Sequence, residues 1–121
     1  MKKSILAFTL FMAVASGTMA AEMPIQKSGD ILVDAEGMTL YTFDKDTAGK
    51  SVCNDRCAAN WPPVAADAGA QATGKFSIIT RDDGTRQWAY DGMPLYRYKS
   101  DAKPGDRSGD NLNNVWHIVR E

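Results

Sequence analysis

The chain has 121 residues, with 14 Lys and Arg against 15 Asp and Glu and a formal net charge of −1. A single domain with a modest core fits that length. The basic residues are scattered singly, which argues against a nucleic-acid surface built from clustered Lys and Arg.

Residues 1–20 read as a secretory signal peptide. Lys2 and Lys3 form a basic start, Ile5 to Val14 is apolar apart from Thr9, and Thr18 and Ala20 place small residues at the −3 and −1 positions of a cleavage site. The apolar stretch is shorter than the roughly 20 residues that a spanning helix needs. The expected product is therefore periplasmic or secreted and not inserted in a membrane once the signal is removed. Its removal takes away two lysines and no acid, so the net charge moves from −1 to −3. Two cysteines in an exported chain allow one intramolecular disulfide.

Ala21 to Ser28, with Pro24, reads as a loosely held lead-in. Ile31 to Val33 is β-prone, Asp34 to Gly37 is a turn, and Thr39 to Phe43 alternates as a second strand, which makes a hairpin. Asp44 to Lys50 is a polar loop. One short helix is expected over Cys53–Asn60, with Ser51 as its cap and Pro62-Pro63 as its stop. Asp67 to Gly74 is a surface loop. Phe76–Thr80, Thr85–Tyr90 and Pro94–Tyr98 read as a meander with tight turns at Asp82-Asp83-Gly84 and Asp91-Gly92. Lys99 to Asn114 is long and polar, and Val115–Val119 closes the chain as a strand.

A repeat overlies these elements. Residues 37–64 match residues 92–119 without a gap at eight positions: Gly37/Gly92, Met38/Met93, Leu40/Leu95, Tyr41/Tyr96, Asp46/Asp101, Asp55/Asp110, Trp61/Trp116 and Val64/Val119. Phe43/Tyr98 adds an aromatic match. Two copies are too few for a solenoid. The reading is mainly β: one compact domain over about 29–121, built from two tandem pseudo-symmetric β repeats, about 29–66 and about 75–121.

The shared residues have a structural rationale. Gly37 and Gly92 suit turn positions of positive φ. Tyr41 and Phe43, like Tyr96 and Tyr98, project from one strand face and supply large apolar area. Asp46 and Asp101, just after the strand, can accept loop N–H groups or a Tyr or Trp proton. The same aromatic face could instead contact a ligand.

Here the sequence resembles the bacterial secreted-repeat proteins, often described as lipoproteins, that carry a Tyr-x-(Phe/Trp/Tyr)-x-x-Asp motif of unknown function. The motif reads Tyr41-Thr42-Phe43-Asp44-Lys45-Asp46 and Tyr96-Arg97-Tyr98-Lys99-Ser100-Asp101, and the first copy adds Cys53-x-x-x-Cys57-x-x-x-Trp61-Pro62-Pro63. The resemblance covers about residues 29–120 and implies an exported or envelope-associated protein. No cysteine lies at the expected cleavage site to take a lipid anchor.

Cys53 and Cys57, four apart on the expected helix, are within reach of a disulfide that would contribute about 2 kcal/mol. A thiol-exchange pair, or a thiolate pair joined by His117, are the alternatives. His117 with Met38 or Met93 could ligate copper or haem iron, although no spacing demands it. No cofactor is expected. Three functions follow: a monomeric, non-catalytic envelope module that binds a protein or small ligand; a redox or electron-transfer accessory using Cys53/Cys57 or Met/His ligands with a haem or copper partner; and a hydrolase using Asp46 and Asp101.

Overall fold

The computed structural model describes residues 23–121, so the signal peptide expected over residues 1–20 lies outside the described part. Seven short strands and one short helix follow in order. They are β1 (Ile25–Ser28), β2 (Ile31–Asp34), β3 (Tyr41–Phe43), α1 (Arg56–Asn60), β4 (Phe76–Thr80), β5 (Arg86–Tyr90), β6 (Met93–Pro94) and β7 (Trp116–Ile118). All strand pairings are antiparallel. The fold is mainly β, as the alternation and turn spacing predict.

Three elements differ from the sequence reading. Ile25–Ser28 is no loose lead-in but a strand paired with β2 from Ile25↔Asp34 to Ser28↔Ile31. Only Ile25 of its four residues is buried, which is why no apolar pattern announces it. The expected hairpin of residues 31–43 is tied only at Val33↔Thr39, after which β3 turns away to pair with β7. The helix is five residues, Arg56–Asn60, rather than Cys53–Asn60, and Ser51 does not cap it. Asp55, directly before it, has φ 55 and ψ −119, which no helix tolerates.

The two copies are interlocked rather than adjacent. In the first, Leu40 donates its N–H to Leu32 (3.2 Å), Leu32 donates to Val119 (3.0 Å) and Val119 donates back to Leu40 (3.2 Å). In the second, Leu95 donates to Trp88 (3.0 Å), Trp88 to Val64 (2.9 Å) and Val64 to Leu95 (3.0 Å). Each ring of three hydrogen bonds closes three backbone segments on one another and satisfies their N–H and C=O groups inside the core. Each ring also takes one member from the other copy: Val119 completes the first ring, and Val64 completes the second.

The copies meet directly where Tyr41 donates its N–H to the Tyr96 carbonyl (2.8 Å) and Tyr96 donates to the Tyr41 carbonyl (2.9 Å). Equivalent residues thus face each other across a pseudo-twofold axis. Side-chain alternation then divides the interior in two. All six ring residues, Leu32, Leu40, Val64, Trp88, Leu95 and Val119, enter one mainly aliphatic cluster. Tyr41, Phe43, Trp61, Tyr96 and Trp116 enter a second, aromatic cluster together with Ile31, Val33, Cys53 and Ile118. Where the first copy has Cys57, the second packs Leu112 against the same cluster.

Gly37 and Gly92 both have positive φ, +87° and +85°. A Cβ on Gly37 would meet Pro104 at 3.1 Å, and one on Gly92 would meet Ala48 at 3.2 Å, so each turn is covered by the polar loop of the other copy.

An interlocked fold has no half that can bury its own core. A chain cut within residues 67–74 is expected to give two fragments that are each unfolded alone and regain native near-ultraviolet circular dichroism when mixed. A cooperative thermal transition in either fragment alone would refute the interlock.

Candidate functional site

The Tyr, second aromatic and Asp residues of both motifs converge on the aromatic cluster, and the pairing crosses between copies. The Tyr41 hydroxyl donates to Asp101 Oδ2 at 2.7 Å, and the Tyr96 hydroxyl donates to Asp46 Oδ2 at 2.6 Å. The other carboxylate oxygens accept backbone N–H groups, Val52 on Asp46 (2.7 Å) and Ser108 on Asp101 (2.9 Å). Both tyrosines are fully buried, and Asp46 and Asp101 are buried as well. The carboxylates that a hydrolase would need are thus already engaged at both oxygens.

The rings form a continuous stack. Phe43 lies on Trp116 (centroids 4.1 Å apart), Trp116 on Trp61 (3.7 Å, interplanar angle 1°) and Trp61 on Tyr98 (4.0 Å). Tyr41 meets Trp61 edge-on, and Tyr96 meets Trp116 edge-on, each at 5.2 Å. Edge-to-face and offset contacts of this kind add about 0.5–1.5 kcal/mol each beyond burial. Gly109, which nothing in the sequence singles out, makes room for the stack: a Cβ there would lie 2.5 Å from Trp61 Cη2. The aromatic ligand face considered above is therefore internal; Tyr98 alone of these rings remains half-buried.

A polar network absent from the motif joins Ser51, Cys53 and Asn54 of the first copy to Arg81 and Gln87 of the second. Arg81, 5 % exposed, donates to Ser51 Oγ (2.9 Å), Gln87 Oε1 (2.8 Å), the Cys53 carbonyl (2.5 Å) and Asn54 Oδ1 (3.2 Å). Ser51 Oγ also lies 2.6 Å from the Tyr96 hydroxyl. The single Tyr96 proton goes to Asp46, so Ser51 donates in that contact. A chain of hydrogen bonds therefore runs from Arg81 through Ser51 and Tyr96 to Asp46. Arg81 sits just after β4 at a turn, where sequence pattern carries no burial signal.

Cys53 and Cys57 form a disulfide with Cα atoms 5.1 Å apart. Cys53 precedes α1 instead of lying on it. The closed loop contains Asp55 at a positive φ outside the helical regions, which costs about 1–3 kcal/mol. The bridge contributes about 2 kcal/mol. The two are comparable, so the bond chiefly fixes position: it holds the Cys53 carbonyl against Arg81.

His117 has both ring nitrogens engaged, Nε2 with Asp44 (2.7 Å) and Nδ1 with Asn111 (3.1 Å). Met38 lines a surface groove and Met93 begins β6. Among the described residues, no group of three or more His, Cys, Asp or Glu side chains is placed to hold a metal ion. No helix among them is long and apolar enough to cross a membrane.

That groove runs along the seam between the copies. One cavity of about 340 Å³ is walled by Pro24, Pro62, Pro63 and Ala65, with Asp34, Glu36 and Arg97 at its edge. A second of about 190 Å³ contains Met38, Tyr98, Lys99 and Asp101 and shares Glu36, Pro62 and Arg97 with the first. Arg97 bonds Asp34 (2.9 Å) and Glu36 (3.4 Å) across the junction. At the pseudo-symmetric positions, His117 of the second copy stands for Pro62 and Thr42 of the first copy stands for Arg97.

Burial, then the hydrogen bond to a carboxylate, holds the Tyr41 and Tyr96 phenols well above the usual range. Burial also pushes the Asp46 carboxyl up, against the opposing pull of the Tyr96 hydroxyl, the Val52 N–H and Arg81. For the phenols the folded value exceeds the unfolded value near 10, so the unfolded chain loses these protons first. The stability they contribute is complete below that pH and lost as pH rises above it. In an alkaline titration followed at 295 nm, two of the four tyrosines are expected to ionise only together with unfolding. Ionisation of all four with the near-ultraviolet circular dichroism intact would contradict this burial.

The family described as a secreted repeat of unknown function matches the chain twice, over residues 25–65 and 77–120. No curated protein and no solved structure matches it. The first match ends just after Val64, so each matched stretch carries the segment that it lends to the other copy. With both copies matched over most of its length, the chain belongs to the secreted repeats of unknown function.

Proposed function

We propose that this protein is a non-catalytic binding module of the bacterial envelope, acting in the periplasm or outside the cell after signal removal. Its ligand-taking surface is the Pro62-Pro63/Arg97 groove, and its occupant is an extended segment of an envelope protein. The observation that carries this reading is the joining of two cavities across Arg97, where Pro62 and Pro63 of the first copy meet Arg97 of the second. Rigid proline walls and a charged junction suit an extended chain with small apolar side chains and a charged group. Val52 is the exposed large hydrophobic among the described residues, which favours a groove over a broad apolar patch as the docking surface. The engaged carboxylates Asp46 and Asp101 weigh against a hydrolytic role, and the two ring-nitrogen contacts of His117 weigh against its use as a metal ligand.

The test is site-specific photocrosslinking in the native envelope. A crosslinker replacing Glu36, which projects from the groove edge, is expected to give a discrete adduct that Arg97→Ala abolishes. One replacing Lys103, exposed and outside the groove, is expected to give none. Arg97→Ala leaves the buried Asp34 with its Glu36 and Met38 N–H donors, and native near-ultraviolet circular dichroism is expected to persist. Equal labelling from both positions would remove the groove from consideration.

A further inference from the structure

The aromatic cluster has a chemistry that packing alone does not require. Apart from thiols, indole and phenol are the side chains most easily oxidised by one electron. Trp61 and Trp116 lie face to face at 3.7 Å with their planes at 1°, so positive charge on one ring is shared with the other. Each is flanked edge-on by a tyrosine whose hydroxyl already points at a carboxylate, Tyr41 to Asp101 and Tyr96 to Asp46. At 2.7 and 2.6 Å these carboxylates are in reach to take the phenol proton as the electron leaves.

The ends of the stack differ. Phe43 closes one end, and a benzene ring is far harder to oxidise than a phenol. Tyr98 forms the other end, is half-buried, and lines the smaller cavity beside Asp101. Phe43 and Tyr98 are the same position in the two copies, so this substitution gives a pseudo-symmetric stack a single entrance.

We propose that the stack and its two tyrosine–aspartate pairs make the domain a one-electron donor. An oxidising equivalent taken up at Tyr98 passes to Trp61 and Trp116 and settles as a neutral phenoxyl radical on Tyr41 or Tyr96. The oxidant is a high-potential one-electron acceptor, either an oxygen-centred radical or an oxidised metal complex. It gains one electron. An electron from the buried phenol refills the indole, the phenol O–H bond breaks, and the proton moves to Asp101 or Asp46, which becomes a neutral carboxylic acid. The phenols keep their protons until that moment, because burial holds both well above neutrality. Water is excluded from the product radical, since Tyr41 and Tyr96 are fully buried. This chemistry does not depend on whether the groove takes a protein partner.

Photogenerated tris-bipyridine ruthenium(III) supplies the oxidant for the test, with transient absorption as the readout on the oxidised, disulfide-intact protein. Two phases are expected. The first is bimolecular indole oxidation, and the second is an intramolecular rise of phenoxyl signal whose rate does not depend on oxidant concentration and slows in heavy water. Tyr98→Phe keeps the ring in the stack and is expected to lose the fast first phase. Tyr90→Phe, in the other cluster, is expected to change neither phase. A single phase that scales with oxidant concentration, or unchanged kinetics in a Tyr98→Phe protein with native circular dichroism, would overturn the proposal.

Discussion

The reciprocal hydrogen bonds from Tyr41 to Asp101 and from Tyr96 to Asp46 are the constraint on which this fold depends. Each spans the two copies, is charge-assisted and lies in the interior, where hydrogen bonds to charged groups contribute about 1.5–3 kcal/mol. Losing one partner costs more than the bond itself, because it leaves a buried carboxylate without its donor. The two backbone rings repeat the same crossing through Val119 and Val64. Polar side chains, main chain and aromatic stack are thus all shared, and they make two short repeats into one cooperative unit.

Much of this was legible in the sequence. Gly37 and Gly92 mark positive-φ turns, the alternation around Tyr41 and Tyr96 marks strands, and the constant offset between copies marks the duplication. The partner of each tyrosine was not. Asp46 lies five residues after Tyr41, and Asp101 five after Tyr96, so a local reading places each pair within its own copy. Identical residues in both copies make exchanged and unexchanged pairings indistinguishable by pattern. Topology decides between them, through the long connections that bring β7 beside β3. Strand β1, an edge strand with one buried residue, has no periodic signature. The helix is shorter than its pattern predicts because the positive φ of Asp55 is a tertiary outcome at a residue that ordinarily suits a first turn.

The copies differ where the first carries Ser51, Cys53 and Cys57 and receives the buried Arg81 of the second. A guanidinium with no direct carboxylate partner needs well-placed neutral acceptors, and the disulfide holds one of them, the Cys53 carbonyl. The cysteines form the disulfide expected from the sequence, not a free thiol-exchange pair, and it braces a polar network beneath the Tyr96–Asp46 pair. The groove lies beside Pro62 and Pro63 of the first copy, against Arg97 of the second. Specialisation has thus gathered on one side of a symmetric frame, and the second copy keeps Leu112 and His117 at the equivalent places.

If the interlock governs stability, neither copy can open without the other. Native-state amide hydrogen exchange tests this most directly. The N–H groups of Leu32, Val119 and Tyr41 on one side, and of Trp88, Val64 and Tyr96 on the other, should all exchange with one common free energy equal to that of global unfolding. A lower opening free energy confined to one set, with the other still at the global value, would mean that the two copies are separable and that the account is wrong.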